Sequence, residues 1–282
     1  MKGIERERVG PLPIWAWATL SGVLVWALYV FTLAPTTGFW DTSEYIATAH
    51  ILGLPHPPGN PFFVVFGRVW ELLLGWTGLT VAKRINLLSA TMSAGAAVFW
   101  FLALTRIGAR FWEDRRHVVV SALVAVLVGG TAFTVWAQSN LNEKVYTVSL
   151  FVVALVSYLA MVWEDEADTT RGDRLLLLMA LLLGLGAANH TMSLLPLPAL
   201  GLFMLWHRWR AVLRPGLLGA AALLFGIGFT VQTVFVPIRS ADEPVIDEAD
   251  PECASLVSAL ITPLEVAPVT RALVPDGVVC EP

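Results

Sequence analysis

Seven nearly uncharged apolar stretches dominate this chain, at about 13–34, 84–105, 118–137, 145–163, 174–190, 192–206 and 215–236. A helix needs about 20 apolar residues to cross a bilayer's hydrocarbon core. Inside that core every backbone polar group must be satisfied within the protein, which restricts spanning segments to helices and closed barrels. With 56% hydrophobic and 14% charged residues, the chain lies far from the roughly 25% charge of soluble domains. The expected fold is therefore an all-α integral membrane bundle of about seven transmembrane helices, with the lipid bilayer as an obligate partner. The basic start "MKGIERERVG" leads into an apolar run too long for a signal-peptide core and without a small-residue cleavage site, so it reads as a retained first span.

An eighth apolar stretch, 61–79, carries Arg68 and Glu71 at mid-length. Charges there cost about 2.5–3.5 kcal/mol each on insertion scales, although residues three apart can pair on one helix face. Cytoplasmic loops collect Lys and Arg. Lys2, Arg6 and Arg8, the 106–117 loop with Arg106, Arg110, Arg115 and Arg116, and the 207–214 loop with Arg208, Arg210 and Arg214 form the basic set. All fall on the N-terminal, cytoplasmic side only if 61–79 does not cross. That stretch is therefore expected to lie against the outer face, within a first outer loop spanning 35–83. Asp41, Glu44, His56, Asn140, Asn142, Glu143, Asn189 and His190 then share the opposite side. Residues 1–236 read as the membrane module, and 237–282 as an extracytoplasmic polar tail.

Four constellations carry chemistry. In "GFWDTSEY", Asp41 and Glu44 stand at the start of an expected short helix. They can act as a helix cap with its capping-box acid. A carboxylate against apolar walls can also serve as a general base. "PHPPGNP" places His56 in a Pro-stiffened connector, where it can meet an anionic ligand or a metal. "QSNLNEKVY" sets Glu143 beside Asn140, Asn142 and Tyr146. "AANHTMS" puts Asn189 and His190 among small residues that permit close helix packing. A divalent cation is compatible with these groups but demanded by none. The Cys253–Cys280 pair can form a disulfide or stay as two thiols.

Neither a P-loop, a G-x-G-x-x-G, a G-x-S-x-G nor an H-E-x-x-H is present. These absences remove nucleotide-driven transport, Rossmann redox chemistry and the common hydrolases. No basic aromatic patch points to nucleic acid. A transporter or lipid-binding protein is the competing class. Such a protein predicts a path of charges through the spans, and the third, fourth and seventh stretches lack central acids.

The order of features resembles the GT-C superfamily of integral-membrane glycosyltransferases. The segments "LAPTTGFWDTSEYIATAHILGLPHPPGNPFF", "KRINLLSA", "SNLNEKVYTVSLF" and "ANHTMSLLPLP" are similar to the transmembrane protein 260-like family of protein O-mannosyltransferases, over about residues 14–250. That resemblance implies a GT-C-like bundle with two juxtamembrane helices, at 42–53 and 61–79, in the first outer loop. It implies a polyprenyl-phosphate sugar donor and a hydroxyl acceptor on protein or glycan. It also implies Asp41 as catalytic base, with Glu44, His56, Glu143 and His190 lining the same cavity and Arg68 and Arg84 offsetting donor phosphate. The location implied is a bacterial inner membrane, with the site extracytoplasmic. Members of the family continue with further spans, so a chain of this length reads as C-terminally truncated, or as a non-catalytic scaffold.

Overall fold

The computed structural model describes residues 3–142, 145–242 and 244–248. Eleven α-helices run in order among these residues: α1 Ile14–Phe31, α2 Thr42–Ile51, α3 Pro61–Leu73, α4 Val81–Gly108, α5 Arg115–Thr131, α6 Phe133–Asn140, α7 Tyr146–Glu166, α8 Thr170–Asn189, α9 Leu197–Val212, α10 Pro215–Thr230 and α11 Val236–Ala241. A two-residue hairpin, β1 Arg8–Val9 and β2 Leu12–Pro13, precedes α1.

Five helices are long and apolar enough to cross a membrane: α1, α4, α7, α8 and the run from α10 to Ala241. The pair α5 and α6, bent by 63° at Ala132, makes six when counted as one span. The expected crossing at 192–206 is made by a short, broken segment: the chain leaves one end of the bundle at His190 and reaches the opposite end by His207, whose Nε2 lies 3.1 Å from Glu164 Oε1. Hydropathy sums over a helix break there. His190 is extended, a 3-10 turn covers Thr191–Leu194, and α9 starts only at Leu197 beside Pro196 and Pro198. With 16 residues, α9 reaches about 24 Å, short of the roughly 30 Å hydrocarbon core, and Arg208 leaves helical geometry near its end.

The stretch 61–79 does not cross. α3 is only 13 residues long and a 3-10 turn follows at Gly75–Thr77. The start of α4 lies beside the end of α1, where Asn86 Nδ2 donates to Ala34 O and Thr36 O at 3.1 Å. The end of α4 returns to the chain's beginning, where Arg106 Nε meets Glu5 Oε1 at 2.7 Å. The chain therefore leaves α1 and enters α4 at the same end, with α2 and α3 resting there.

The two ends differ in chemistry as the charge pattern anticipated. At one end the basic loops interlock through Arg106–Glu5, Arg106–Asp165, Arg115–Glu7, Arg110–Glu164 and Arg214–Asp173 pairs. At the other, neutral polar side chains tie the loops together. Thr32 Oγ1 donates to Asn140 Oδ1, Ser89 Oγ donates to Asn142 Oδ1, and Asn142 N donates to Asn86 Oδ1.

Between the ends, packing is apolar and close. One core joins α1, α4 and α5 around Val25, Tyr29, Phe101 and Val126. A second joins α7 to α10 around Trp163, Leu183 and Met204. A third, with Tyr45, Phe63, Ile85 and Val148, seats α2 and α3 on α4 and α7. α8 and α10 touch backbone to backbone. A Cβ on Gly184 would lie 2.1 Å from Phe225 O. Gly184→Ala is therefore expected to prise the two helices apart. The cost is about 1–3 kcal/mol, the range for overpacking, read as a lower thermal midpoint in detergent.

Beyond α10, five residues from Val231 to Phe235 form a π turn. It aims Gln232 Nε2 onto Pro58 O at 2.8 Å. α11 then runs from Val236 to Ala241. Residues 246–248 then pair with Leu54, with Leu54 N donating to Ile246 O and Glu248 N to Leu54 O. Cys253, Cys280 and the rest of the expected tail lie outside the described residues.

Candidate active site at the polar end

The backbone turns sharply into the site. Trp40 has φ 62° and Asn60 φ 37°, a left-handed region that costs non-glycine residues about 1–2 kcal/mol. Such strain is held only where surroundings impose it, and both residues flank the candidate groups. Phe39 and Trp40 project almost fully into the open.

Asp41 occupies the N-cap position of α2, yet its side chain makes no capping hydrogen bond. Glu44 sits three residues on, in the first turn of α2. It turns across to the "PHPPGNP" loop. Glu44 Oε1 accepts His56 N at 2.5 Å, and Glu44 Oε2 lies 2.9 Å from His56 Nδ1. One donor atom from each of Asp41, Glu44 and His56 falls within 4.8 Å of the others. The three groups named from the sequence thus converge, although Glu44 and His56 are 12 residues apart.

A buried polar chain supports this cluster. The Tyr45 ring packs edge-on against His56, with centroids 5.6 Å apart. Tyr45 Oη donates to Asn60 Oδ1 at 2.7 Å. Asn60 Nδ2 donates to Asn189 O at 2.6 Å. Asn189 Nδ2 in turn donates to Val145 O and Ser149 Oγ, both at 2.9 Å. Asn60 and Asn189 are fully buried. Burial raises the Tyr45 phenol above its ordinary 10.0, and the negative charges of Glu44 and Asp41 add to the shift. Tyr45 therefore remains a neutral donor throughout the working range. His190 lies at the same end. Its Nδ1 accepts Met192 N at 3.0 Å, capping the 3-10 turn, and its ring stands edge-on to Tyr146, with centroids 5.3 Å apart. Glu143 lies outside the described residues.

Arg68 and Arg84 gather elsewhere. Arg68 Nη1 contacts Glu71 Oε2 at 2.5 Å, and Arg84 Nη1 contacts Glu71 Oε1 at 3.1 Å. The same Arg68 nitrogen is 3.2 Å from His50 Nδ1. His50 Nδ1 also lies 3.1 Å from Glu71 Oε2, and a carboxylate can only accept, so this nitrogen donates to Glu71. His50 stands nine residues along α2 from Asp41, about 13 Å at 1.5 Å per residue. The two arginines therefore form a separate hub that pins α3 to α4.

Glu71 is buried in that hub. Burial works to raise its carboxyl, but the hydrogen bonds from His50 and Arg68 outweigh it and hold the group below its ordinary 4.5. A depressed acid contributes stability above its unfolded value and loses it as the pH falls through the folded one. The stability contributed by Glu71 should accordingly persist above about pH 5 and fade below about pH 4. Glu71→Gln should cost about 3–5 kcal/mol, the range for breaking a buried pair. It should also flatten that acid limb in a series of thermal melts.

Three supporting residues had no cue in the sequence. Asn60 sits within a quoted motif, but its partner lies 129 residues away. His50 sits within a segment quoted for the family resemblance but with no role assigned to it, and Gln232 lies in none of the quoted motifs.

Residues 41–213 match the family described as "Protein O-mannosyl-transferase TMEM260 N-terminal domain". The match begins at Asp41 and runs to Leu213, just past α9. The chain is 24% identical over 181 residues to protein O-mannosyl-transferase tmem260 of Dictyostelium discoideum, covering 61% of this chain and 21% of that protein. It is 26% identical over 169 residues to protein O-mannosyl-transferase TMEM260 of Mus musculus, covering 60% and 22%. The matched stretch thus spans about a fifth of the length of these relatives. No solved structure matches. The family model covers well over half of the chain, which therefore belongs to the TMEM260 N-terminal-domain family of membrane proteins.

Proposed function

We propose that this chain is a glycosyltransferase that moves a sugar, mannose by analogy with its relatives' names, from a polyprenyl-phosphate donor to an acceptor hydroxyl. The carrying observation is the convergence of Asp41, Glu44 and His56 on a juxtamembrane helix at the polar end of the bundle. The acceptor is a hydroxyl on a protein or glycan. The positive-inside rule puts the arginine-rich end in the cytoplasm and the acids on the extracytoplasmic side.

In this reading the acceptor oxygen attacks the anomeric carbon. The bond from that carbon to the phosphate oxygen breaks, and polyprenyl phosphate leaves with the electron pair. Asp41 takes the acceptor's proton. Attack from the face opposite the leaving phosphate inverts the carbon. Glu44 holds the His56 loop in place, His190 stands at the same end of the bundle, and Glu143 is a further group of the proposed site. Arg68 and Arg84, spent on Glu71, serve the donor by fixing α3 instead of gripping its phosphate directly.

Two carboxylate oxygens and an imidazole nitrogen also suit a divalent ion such as Mn²⁺. Asp41, Glu44 and His56 would hold it, and it would supply charge neutralisation for the leaving phosphate.

Membranes containing this chain, given labelled polyprenyl-phosphate mannose and a Ser/Thr peptide, should transfer label to the peptide. A labelled nucleotide sugar should transfer none. Label no higher than in membranes lacking the chain would overturn the assignment.

A further inference from the structure

A cavity of about 220 Å³ lies between α1, α4, α5 and α7. Its wall is Tyr29, Ala96, Ala97, Trp100, Leu104, Ala125, Val126, Gly129 and Gly130, completed by Ser93, Val135 and Leu150. We propose that this cavity holds a segment of the isoprenyl chain of the donor lipid; the inference deepens the glycosyltransferase reading and rests on it.

Four observations converge on a hydrocarbon occupant. First, the cavity is chemically dry. Its two hydroxyls are already engaged, since Tyr29 Oη donates to Gly130 O at 2.7 Å and Ser93 Oγ accepts from Ser139 Oγ at 2.8 Å. Water needs two to four polar partners to settle in a cavity, and apolar cavities take apolar guests instead. Second, the wall belongs to segments that cross the membrane, so whatever fills the space comes from the lipid phase. Third, Ala125 and Gly129 are exposed, and with Val120, Val124 and Val128 they sit on a helix that faces outward. The cavity therefore opens toward lipid, not into the protein. Fourth, it is smaller than the roughly 300–1,000 Å³ of pockets that enclose a whole ligand. It suits one stretch of a slender chain whose remainder continues into the bilayer.

The donor lipid, rather than a bulk phospholipid, follows from where the cavity leads. Val135 of its wall is on α6, which ends at Asn140. Leu141 comes next and packs against Gly38, three residues before Asp41; a Cβ on Gly38 would meet Leu141 Cδ2 at 2.4 Å. A lipid seated along α5 and α6 thus has its headgroup end directed to the loop that carries Asp41. The bend at Ala132 shapes this course, because it turns α6 out of the line of α5.

Gly129 supplies a clean test. A Cβ there meets nothing within 4 Å, so the side chain of Gly129→Leu starts in open space at the rim, where it is expected to obstruct the opening, and the change raises helix propensity. The full chain in nanodiscs would be irradiated with polyprenyl phosphate bearing a diazirine on its isoprenyl chain. A phosphatidylcholine with a diazirine on its acyl chain serves as comparison. Isoprenyl labelling is expected on Trp100, Leu104 and Ala125, reduced at least tenfold by Gly129→Leu, with the acyl probe labelling these residues at least tenfold less. Equal acyl labelling, or isoprenyl labelling unchanged by Gly129→Leu, overturns the inference. Should Gly129→Leu not fold, Ala125→Leu at the exposed rim repeats the test. Transfer activity without this labelling sinks the cavity assignment alone. Labelling without transfer sinks the glycosyltransferase reading and leaves a lipid-binding cavity.

Discussion

Asp41→Asn should lower sugar transfer by about 10²–10⁴-fold, the usual worth of general-base assistance, with no loss of folded protein. The change removes a proton acceptor but keeps the side chain's size. It breaks no capping bond, because Asp41 makes none through its side chain to α2. The backbone bend at Trp40, the Glu44–His56 contact and the Asn60 tether all stay in place. The loss should therefore appear in kcat, while donor binding changes little. Labelled-donor transfer at substrate saturation, alongside a thermal melt in the same detergent, separates the two effects. Wild-type turnover in the variant would remove Asp41 from the chemistry. A matching collapse of the melt would make it a structural residue.

The second large effect belongs to the far end of the molecule. Arg106→Leu should destabilise the fold by about 3–5 kcal/mol, the range for stranding buried charges. Arg106 is 3% exposed and holds Glu5 Oε1 at 2.7 Å, Asp165 Oδ2 at 2.8 Å and Met161 O at 3.1 Å. It thereby joins the segment before α1 to the ends of α4 and α7. Removing the guanidinium leaves two carboxylates facing each other with their shared partner gone. Adding Glu5→Gln and Asp165→Asn to Arg106→Leu should restore part of the stability, since an absent charge is cheaper to bury than a lone one. Melting midpoints of the single and triple variants decide the matter; a single variant within 1 kcal/mol of the native chain would show that these charges remain hydrated.

Local chemistry was what the sequence disclosed well. The charge asymmetry of the loops fixed which junctions share an end, and the chain between α1 and α4 stays on one side as that asymmetry required. The Arg68–Glu71 pair followed from a spacing of three. A count of apolar residues was blind to backbone geometry at 192–206, where the chain still passes from one end to the other but Pro196 and Pro198 replace a regular span by a 3-10 turn and the short α9. The site was half legible. Asp41, Glu44 and His56 lay in two adjacent motifs and do converge. That Arg84 joins Arg68 on Glu71, or that Asn60 reaches Asn189, depends on how separate helices pack. No pattern within a single segment encodes contacts across such separations.

α4 is the longest helix of the bundle, 28 residues or about 42 Å. That exceeds a hydrocarbon core of about 30 Å by some 12 Å. At its N-terminal end Arg84 and Asn86 are engaged by groups from α3 and the loop after α1. α4 thus acts as a mast, setting the height at which α2 and its acids ride above the oily layer. Thickening the membrane would draw that platform toward the lipid carbonyls, and thinning it would lift the acids into water. Host lipid length becomes a variable of the proposed reaction, adjustable without touching a single side chain.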